Sequence, residues 1–456
     1  MKSFSLCLLI FLMTWISPTF IASSIACEFH DPYEIIALPQ SYWQSQNDQQ
    51  SQDLKPIEIN GRLIQRENEE TKFQAKSLMS VSEIKSSHLI AYAKDVQAYL
   101  WLKTDDEGFY SAVISHQSIT QWIKEKPSLP VQSLSFQIYV IDLEDEALEA
   151  EIERLNRISS TNDLNKAEHL NLKKLCLVDT QSIRFRALEN AQKQATIAIR
   201  SDIDLTYLET DFHSKLALLE LLSTESKDRK HVKGMDQMMR YLQALNRFSF
   251  VFLSGSPSFF QKHLLERFRL DKVDVDGLYL KDFKKILKDK FLDFEWFSMI
   301  SALKAQIFYK LNLLFRLRQQ LPSHMQEILF GDDSEADHVV YDLYQKTISR
   351  QITLAELKQD LIAYELSNEE IIAILDNANL ALKQISSDLK EPVLAMYIHL
   401  TDRPNQKYIT SNLQKTKIRF HQKTKEIIQD LIDRQLISAE NLKVYCQTNP
   451  CIDLGI

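Results

Sequence analysis

The stretch Ala195-Thr196-Ile197-Ala198-Ile199-Arg200-Ser201-Asp202-Ile203-Asp204-Leu205-Thr206 decides the fold. A short, mainly apolar run of strand length, Ala195–Arg200, gives way abruptly to hydroxyls and carboxylates. The same pattern returns at Phe248–Leu253, Glu327–Phe330 and Val393–Leu400, with helical periods between these runs at 235–246, 259–269 and 304–320. Alternation of strand and helix predicts an α/β architecture, a mainly parallel sheet with helices on both faces. In such sheets the reactive crevice lies beyond the carboxyl ends of the strands. The residues that follow each run are therefore the candidates: Ser201–Thr206, then Ser254-Gly255-Ser256-Pro257, then Gly331-Asp332-Asp333-Ser334-Glu335-Ala336-Asp337. Tyr309-Lys310 opens an apolar-periodic helix just before the third strand. Carboxylates, a hydroxyl and a lysine thus converge on one sheet edge.

Outward from this core, the 456 residues suggest two or three domains at roughly 100–200 residues each. Residues 27–85, which include the polar stretch 44–53, read as linker or irregular chain. Residues 86–160 read as a small β-rich domain, its clearest strand being Leu134–Val140, where apolar and polar residues alternate up to Tyr139. Glu144–Arg157 reads as a helix with a solvated acidic face. The α/β domain spans 194–405 and contains a helical insertion over 346–391. Thr353-Leu354-Ala355-Glu356 and Ser367-Asn368-Glu369-Glu370 have capping-box spacing there. Residues 406–456 form a C-terminal helical segment, with amphipathic helix over 406–441.

The composition, 45% hydrophobic and 25% charged, excludes a disordered or multi-span membrane chain. The net charge of −8 without a basic domain excludes nucleic acid as the natural partner. Residues 1–26 have the form of a secretory signal: Lys2, an apolar run from Phe4 to Ile16, and small residues at Ala22–Ala26. The chain is expected to be exported, to the periplasm or outside the cell. Ser24-Ile25-Ala26-Cys27 also has the form of a lipobox, so lipid anchoring through Cys27 stands beside simple secretion. Cys446 and Cys451 are close enough to close a small loop as a disulfide, or remain two thiols. Glycine is scarce, with 7 in the chain, and Gly234, Gly255 and Gly331 fall at the candidate site or just before a helix.

The chemistry this constellation suggests is phosphoryl transfer. A carboxylate can attack phosphorus. A second carboxylate two residues later can protonate the leaving oxygen. A serine and a lysine can hold the remaining phosphate oxygens, and Mg²⁺ can neutralise the charge that accumulates. Lys310 has a better motif context for this role than Lys304. Asp333 and Asp337 either orient Lys310 or the metal waters, or cap the following helix. Ser256 reads as an N-cap, with Pro257 at the first helical position.

Asp202-Ile203-Asp204-Leu205-Thr206, Ser254, Lys310 and Gly331-Asp332-Asp333 resemble, in order, the four motifs of the haloacid dehalogenase (HAD) phosphatase superfamily. The resemblance implies a HAD-like, Rossmannoid sheet in which Asp202 is the nucleophile and Asp204 the general acid/base. Ser254 and Lys310 then bind phosphate. Mg²⁺ is held by Asp202, the backbone carbonyl of Asp204, and Asp332. With Val232–Met235, Phe252–Pro257, Leu278–Asp282 and Leu394–Ile398 added, residues from about 194 to 402 resemble the catalytic domain of the actin-patch-type phosphatidate phosphatases. That resemblance implies hydrolysis of phosphatidate to diacylglycerol and phosphate. Leu205 departs from the family's usual aspartate, Tyr309 from a common histidine, and 346–391 is inserted.

The spacing bears on the substrate independently. Tyr207 to Asn246 leaves about 40 residues between the first motif and the second strand, too few for a sizeable cap domain. A minimal cap leaves the site open, which suits a phospholipid headgroup and peripheral membrane contact better than an enclosed metabolite. Lys281–Lys290 could meet an anionic lipid surface, or simply be a solvated helix face. Two other functions remain open at this stage: a phosphatase for soluble or protein-borne phosphomonoesters, and a non-catalytic surface effector on the same scaffold.

Overall fold

The computed structural model describes strands between residues 33 and 187, and then residues 197–210, 228–257, 260–281, 299–401 and 417–454. The expected signal segment 1–26, Cys27, residues 45–53, the helix over Glu144–Arg157 and residues 282–290 lie outside the described residues.

The C-terminal part is built on six parallel strands: β11 (Ile197–Ser201), β12 (Phe248–Pro257), β13 (Gly277–Lys281), β14 (Gln326–Asp332), β15 (Val393–His399) and β16 (Ile418–His421). Their spatial order is β13-β12-β11-β14-β15-β16. The first strand in sequence therefore lies in the middle, and the winding reverses between β11 and β14. That reversal opens the crevice in which open α/β sheets bind ligands.

The central strands β11, β12, β14 and β15 are covered on both sides, which is why their runs are nearly continuous in apolar residues. Phe248, Phe250 and Phe252 face one layer with Ile197, Ile199, Ile328 and Phe330. Helices α1 (Met235–Ala244), α2 (Gln261–Asp271), α7 (Thr424–Asp433) and α8 (Ala439–Thr448) pack there. Val251, Leu253, Leu329 and Met396 face the other layer. It is made by α3 (Met299–Gln320), α4 (Asp337–Ile348), α5 (Leu354–Ala363) and α6 (Asn368–Gln384). Both capping boxes form: Glu356 N and Glu370 N bond Thr353 Oγ1 and Ser367 Oγ at 3.2 and 3.3 Å, and each glutamate side chain returns to its cap N–H. Among the described residues no helix is long and apolar enough to cross a membrane.

Three expectations need revision. Residues 27–85 are not irregular throughout: they contain β1 (Tyr33–Ala37), β2 (Gln40–Gln44), β3 (Ile57–Arg66) and β4 (Val81–Glu83). In β3, Ile57, Ile59 and Leu63 alternate with polar residues and Gly61, a two-residue period diluted by its polar partners. With β7 (Phe109–Ile114) these strands, apart from β2, form a four-stranded antiparallel sheet. A six-stranded sheet joins β2 to β5 (His88–Ala93), β6 (Ala98–Lys103), β8 (Ser133–Ile141), β9 (Asn165–Lys166) and β10 (Cys176–Ala187), so strands continue beyond residue 160. Finally, 406–441 is not all helix: among the described residues Ile418–His421 is the edge strand β16, and helix runs from Thr424 to Asp433.

The C-terminal end is tied down. Cys446 and Cys451 form a disulfide that closes the turn between α8 and a final 3₁₀ turn, Ile452–Leu454. Asp453 in that turn accepts a bond from Gln237 of α1 at 2.9 Å.

Candidate active site

The site lies at the switch point. Asp202 follows the last residue of β11, and its N–H donates to the Phe330 carbonyl of β14 at 2.8 Å. Asp332 ends β14. Adjacent parallel strands therefore deliver two carboxylates side by side. Asp337, in the first turn of α4, brings a third. Carboxylate oxygens of Asp202, Asp332 and Asp337 lie within 4.8 Å of one another, and all three residues are buried.

Lys310 enters from α3, its side chain fully buried. Its ammonium is 2.5 Å from Asp337 Oδ1, 2.9 Å from Glu335 Oε2 and 3.2 Å from Asp202 Oδ1. Burial by itself would lower the pKa of Lys310, but the surrounding carboxylates outweigh it and hold the ammonium well above its usual value. The carboxylates move the other way. Burial, and then repulsion among neighbours, raises Asp202 and Asp332 well above the usual carboxylate range, against the attraction of Lys310. One lysine shared by four acids explains both directions: the cation is over-supplied with anions, while each anion has only a fraction of a cation.

Asp204 sits in different company. Ser254 Oγ and Ser256 Oγ donate to its Oδ2 at 2.7 and 2.6 Å, and Thr210 Oγ1 donates to Oδ1. Burial raises its pKa even though these three hydroxyls favour the charged form. A carboxyl pKa raised by burial favours the protonated form that a proton donor needs. The turn after it is left-handed at Leu205, φ +56°, and His399 Nδ1 closes it with a 2.6 Å bond to the Leu205 carbonyl.

The structure thus brings Asp202, Asp204, Ser254, Lys310 and Asp332 to one edge. Lys304 lies apart, paired with Glu365 beyond α5. The two undecided acids separate. Asp337 joins Lys310 and the carboxylate cluster, whereas Asp333 Oδ1 accepts from Thr401 N and Oγ1 at 2.8 and 2.7 Å and fastens the chain after β15. Ser256 is not a helix cap: β12 runs on to Pro257, the N-cap of α2 is Phe260, and the Ser256 hydroxyl serves Asp204. Thr210 carried no signal in the sequence, and Ser256 and Glu335 stood among the residues beyond the strand ends without the roles they take, because each acts only through a tertiary contact. Arg229 is a further buried group near Asp204, with its guanidinium 5.6 Å above the Phe260 ring.

Gly331 has a packing reason. A Cβ there would stand 2.5 Å from Asp337 Oδ2, 2.6 Å from Asp337 Cβ and 2.8 Å from Tyr341 Cε2. Gly234 takes φ +85° at the start of α1, a left-handed conformation that suits glycine.

The donor set fits a hard divalent cation. Neither oxygen of Asp202, nor Asp332 Oδ2, accepts a hydrogen bond, although all are buried. Three clustered carboxylates, two of them with orphaned oxygens, are the ligand type that Mg²⁺ and similar ions take. Both expected ligand carboxylates, Asp202 and Asp332, lie in the cluster, with Asp337 added, while the Asp204 side chain is held by hydroxyls.

A parallel sheet carrying paired acids, a serine and a buried lysine at its switch point has the form of a phosphoric monoester hydrolase. Residues 197–359 match the family described as phosphatidate phosphatase APP1, catalytic domain, and the matched stretch contains all five of these residues. A catalytic domain of that family implies a phosphoric monoester hydrolase, with phosphatidate phosphatase-like activity. The match ends within α5, short of the residue near 402 to which the sequence resemblance extends. No curated protein matches the chain.

Proposed function

We propose that this chain is a Mg²⁺-dependent HAD phosphatase that hydrolyses phosphatidate, or a related phospholipid, through an aspartyl-phosphate. The observation that carries this reading is the meeting of Asp202, Asp332, Asp337 and Lys310 in one buried cluster, inside the segment similar to the phosphatidate phosphatase catalytic domain.

In this reading Asp202 attacks phosphorus while the phosphorus–oxygen bond to the glycerol breaks. The electron pair passes to the leaving oxygen, and Asp204 supplies its proton. Water then gives a proton to Asp204 and attacks the phosphorus, freeing Asp202 and inorganic phosphate. Ser254 and Lys310 hold the phosphate's other oxygens. Asp202 and Asp332, with Asp337 and the Asp204 carbonyl, would hold Mg²⁺, which when bound supplies the positive charge that lets crowded carboxylates ionise and accept an anionic substrate. The Ser256 and Thr210 hydroxyls keep Asp204 aimed between the two steps.

The N-terminal signal pattern makes this an exported enzyme, periplasmic or secreted, with lipid anchoring at Cys27 as the variant that would hold it at its substrate. The Cys446–Cys451 disulfide supports an oxidising compartment. The test is phosphate release from phosphatidate vesicles and from a panel of soluble phosphomonoesters, each with Mg²⁺ and with chelator. Mg²⁺-dependent release from vesicles is expected. Turnover of soluble esters alone would reassign the substrate, and release from neither would overturn the reading.

A further inference from the structure

Lys310 donates to Asp337 at 2.5 Å and to Glu335 at 2.9 Å, and Asp202 stands 3.2 Å away as an ion-pair partner. The lysine side chain is fully buried, so a phosphate cannot reach it until one of these neighbours withdraws. Asp202 and Asp337 are essentially inaccessible, fixed on a strand end and a first helical turn, and both belong to the carboxylate cluster. Glu335 differs. It lies in the loop between β14 and α4, its side chain has one more rotatable bond, and it is 14% exposed while Lys310 is 0% exposed. It is the lid on the lysine.

Its carboxylate also stands over the backbone where a phosphate belongs. Its two oxygens lie 3.9 and 4.0 Å from the position a Cβ on Gly255 would take, beside Ser254, and they span the gap from the β12 turn to Lys310. A planar anion between a serine turn and a lysine is a small-scale stand-in for a phosphate.

We propose that Glu335 occupies the seat of the substrate's phosphate and competes with it for Lys310, so that this residue sets how tightly the enzyme holds phosphate. The proposal rests on the phosphatase reading above. An entering phosphate displaces Glu335 toward the mouth, where Lys281, at the end of β13 and opposite Pro257 in the ladder, lies within electrostatic reach as an alternative partner. For an enzyme that works on a crowded anionic surface, an internal competitor would speed release of product phosphate at some cost in affinity.

The experiment is calorimetric titration of inorganic phosphate into the full-length protein in Mg²⁺, for wild type, Glu335→Gln, Glu335→Ala and Lys310→Met. Glu335→Gln keeps the shape and removes the charge. It should bind phosphate about tenfold more tightly than wild type, the scale of one like-charge contact at a partly exposed site, and should lower KM for phosphatidate by a similar factor. Glu335→Ala should do the same, and Lys310→Met should abolish binding in either background. A merely structural glutamate would show the reverse sign, because loosening Lys310 weakens phosphate binding and raises KM. Equal or weaker binding in both Glu335 variants, still dependent on Lys310, overturns the competitor role and leaves the phosphatase reading intact. No Lys310-dependent binding in any variant overturns both.

Discussion

Substituting Gly331 by alanine tests how tightly the sheet end and the site are joined. The added methyl would meet three atoms inside 3.0 Å: Asp337 Oδ2, Asp337 Cβ and Tyr341 Cε2. None can easily give way. Asp337 is in the first turn of α4 and is held by Lys310 at 2.5 Å, and Tyr341 donates its hydroxyl to the Phe330 carbonyl at 2.8 Å. Both side chains are fully buried. Forcing a methyl into such packing costs about 2–3 kcal/mol, near the upper part of the overpacking range. In a domain of this size that lowers Tm by about 5–10 °C. The displaced atom is also the carboxylate that pairs with Lys310, so phosphate release should fall at least about tenfold, as expected when a positioned charge is misplaced. Gly255→Ala is the internal control for stability, since its Cβ would meet nothing closer than Gln306 Nε2 at 3.5 Å. The measurement is thermal and denaturant unfolding of both variants beside wild type. If Gly331→Ala is as stable as wild type, or if the two variants lose the same amount, the packing reasoning fails.

Three other expectations follow from buried charge. Glu327, on β14, has Arg200 Nε at 3.2 Å, Arg318 Nη1 at 3.5 Å and the Tyr344 hydroxyl at 2.7 Å, all buried; Glu327→Ala removes the carboxylate facing two buried guanidinium groups and should cost about 3–5 kcal/mol in denaturant unfolding, while a loss below about 1 kcal/mol would refute the network. His421 has its pKa pushed down to about 3 by burial and by stacked His399. Its stabilisation is complete above the unfolded value near 6.5 and is lost as pH falls toward 3, at about 1.4 kcal/mol per pH unit; His421→Phe should flatten that part of the stability profile, and an unchanged slope would contradict it. Mg²⁺ at 100 times its Kd should stabilise wild type by about 2.7 kcal/mol, and Asp332→Asn should remove most of that gain in thermal melts; an undiminished gain would take Asp332 out of the metal site.

Those parts of the fold buried on two faces were readable from the chain, because a strand covered on both sides leaves an apolar run and then stops at its polar end. β11, β12, β14 and β15 have that signature, and the sheet-edge rule led from them to Asp202, Ser254 and Asp332. The edge strands did not. β13 is five residues opening on Gly277, and β16 is four residues, Ile418-Arg419-Phe420-His421, with Arg419 exposed. Each is covered by neighbours on one side only and lacks the apolar continuity. Ser256-Pro257 was misread because a serine–proline pair is an apt helix start, yet the strand outlasts it and the serine turns inward to Asp204. Glu335 fell in the candidate loop but had no legible role, since a glutamate in an acidic loop looks solvated until Lys310 is seen beneath it. Asp337 stood between two roles until the fold placed α3 and α4 together.

The most direct measurement is phosphate release from phosphatidate vesicles by the full-length protein in Mg²⁺, comparing wild type with Asp202→Asn. Asp202 is buried beside Lys310, and the isosteric amide preserves the volume while removing the attacking oxygen's charge. Release by the wild type together with a loss of at least about a thousandfold in Asp202→Asn is the predicted result. Equal activity in the two proteins, or none in the wild type, would contradict it.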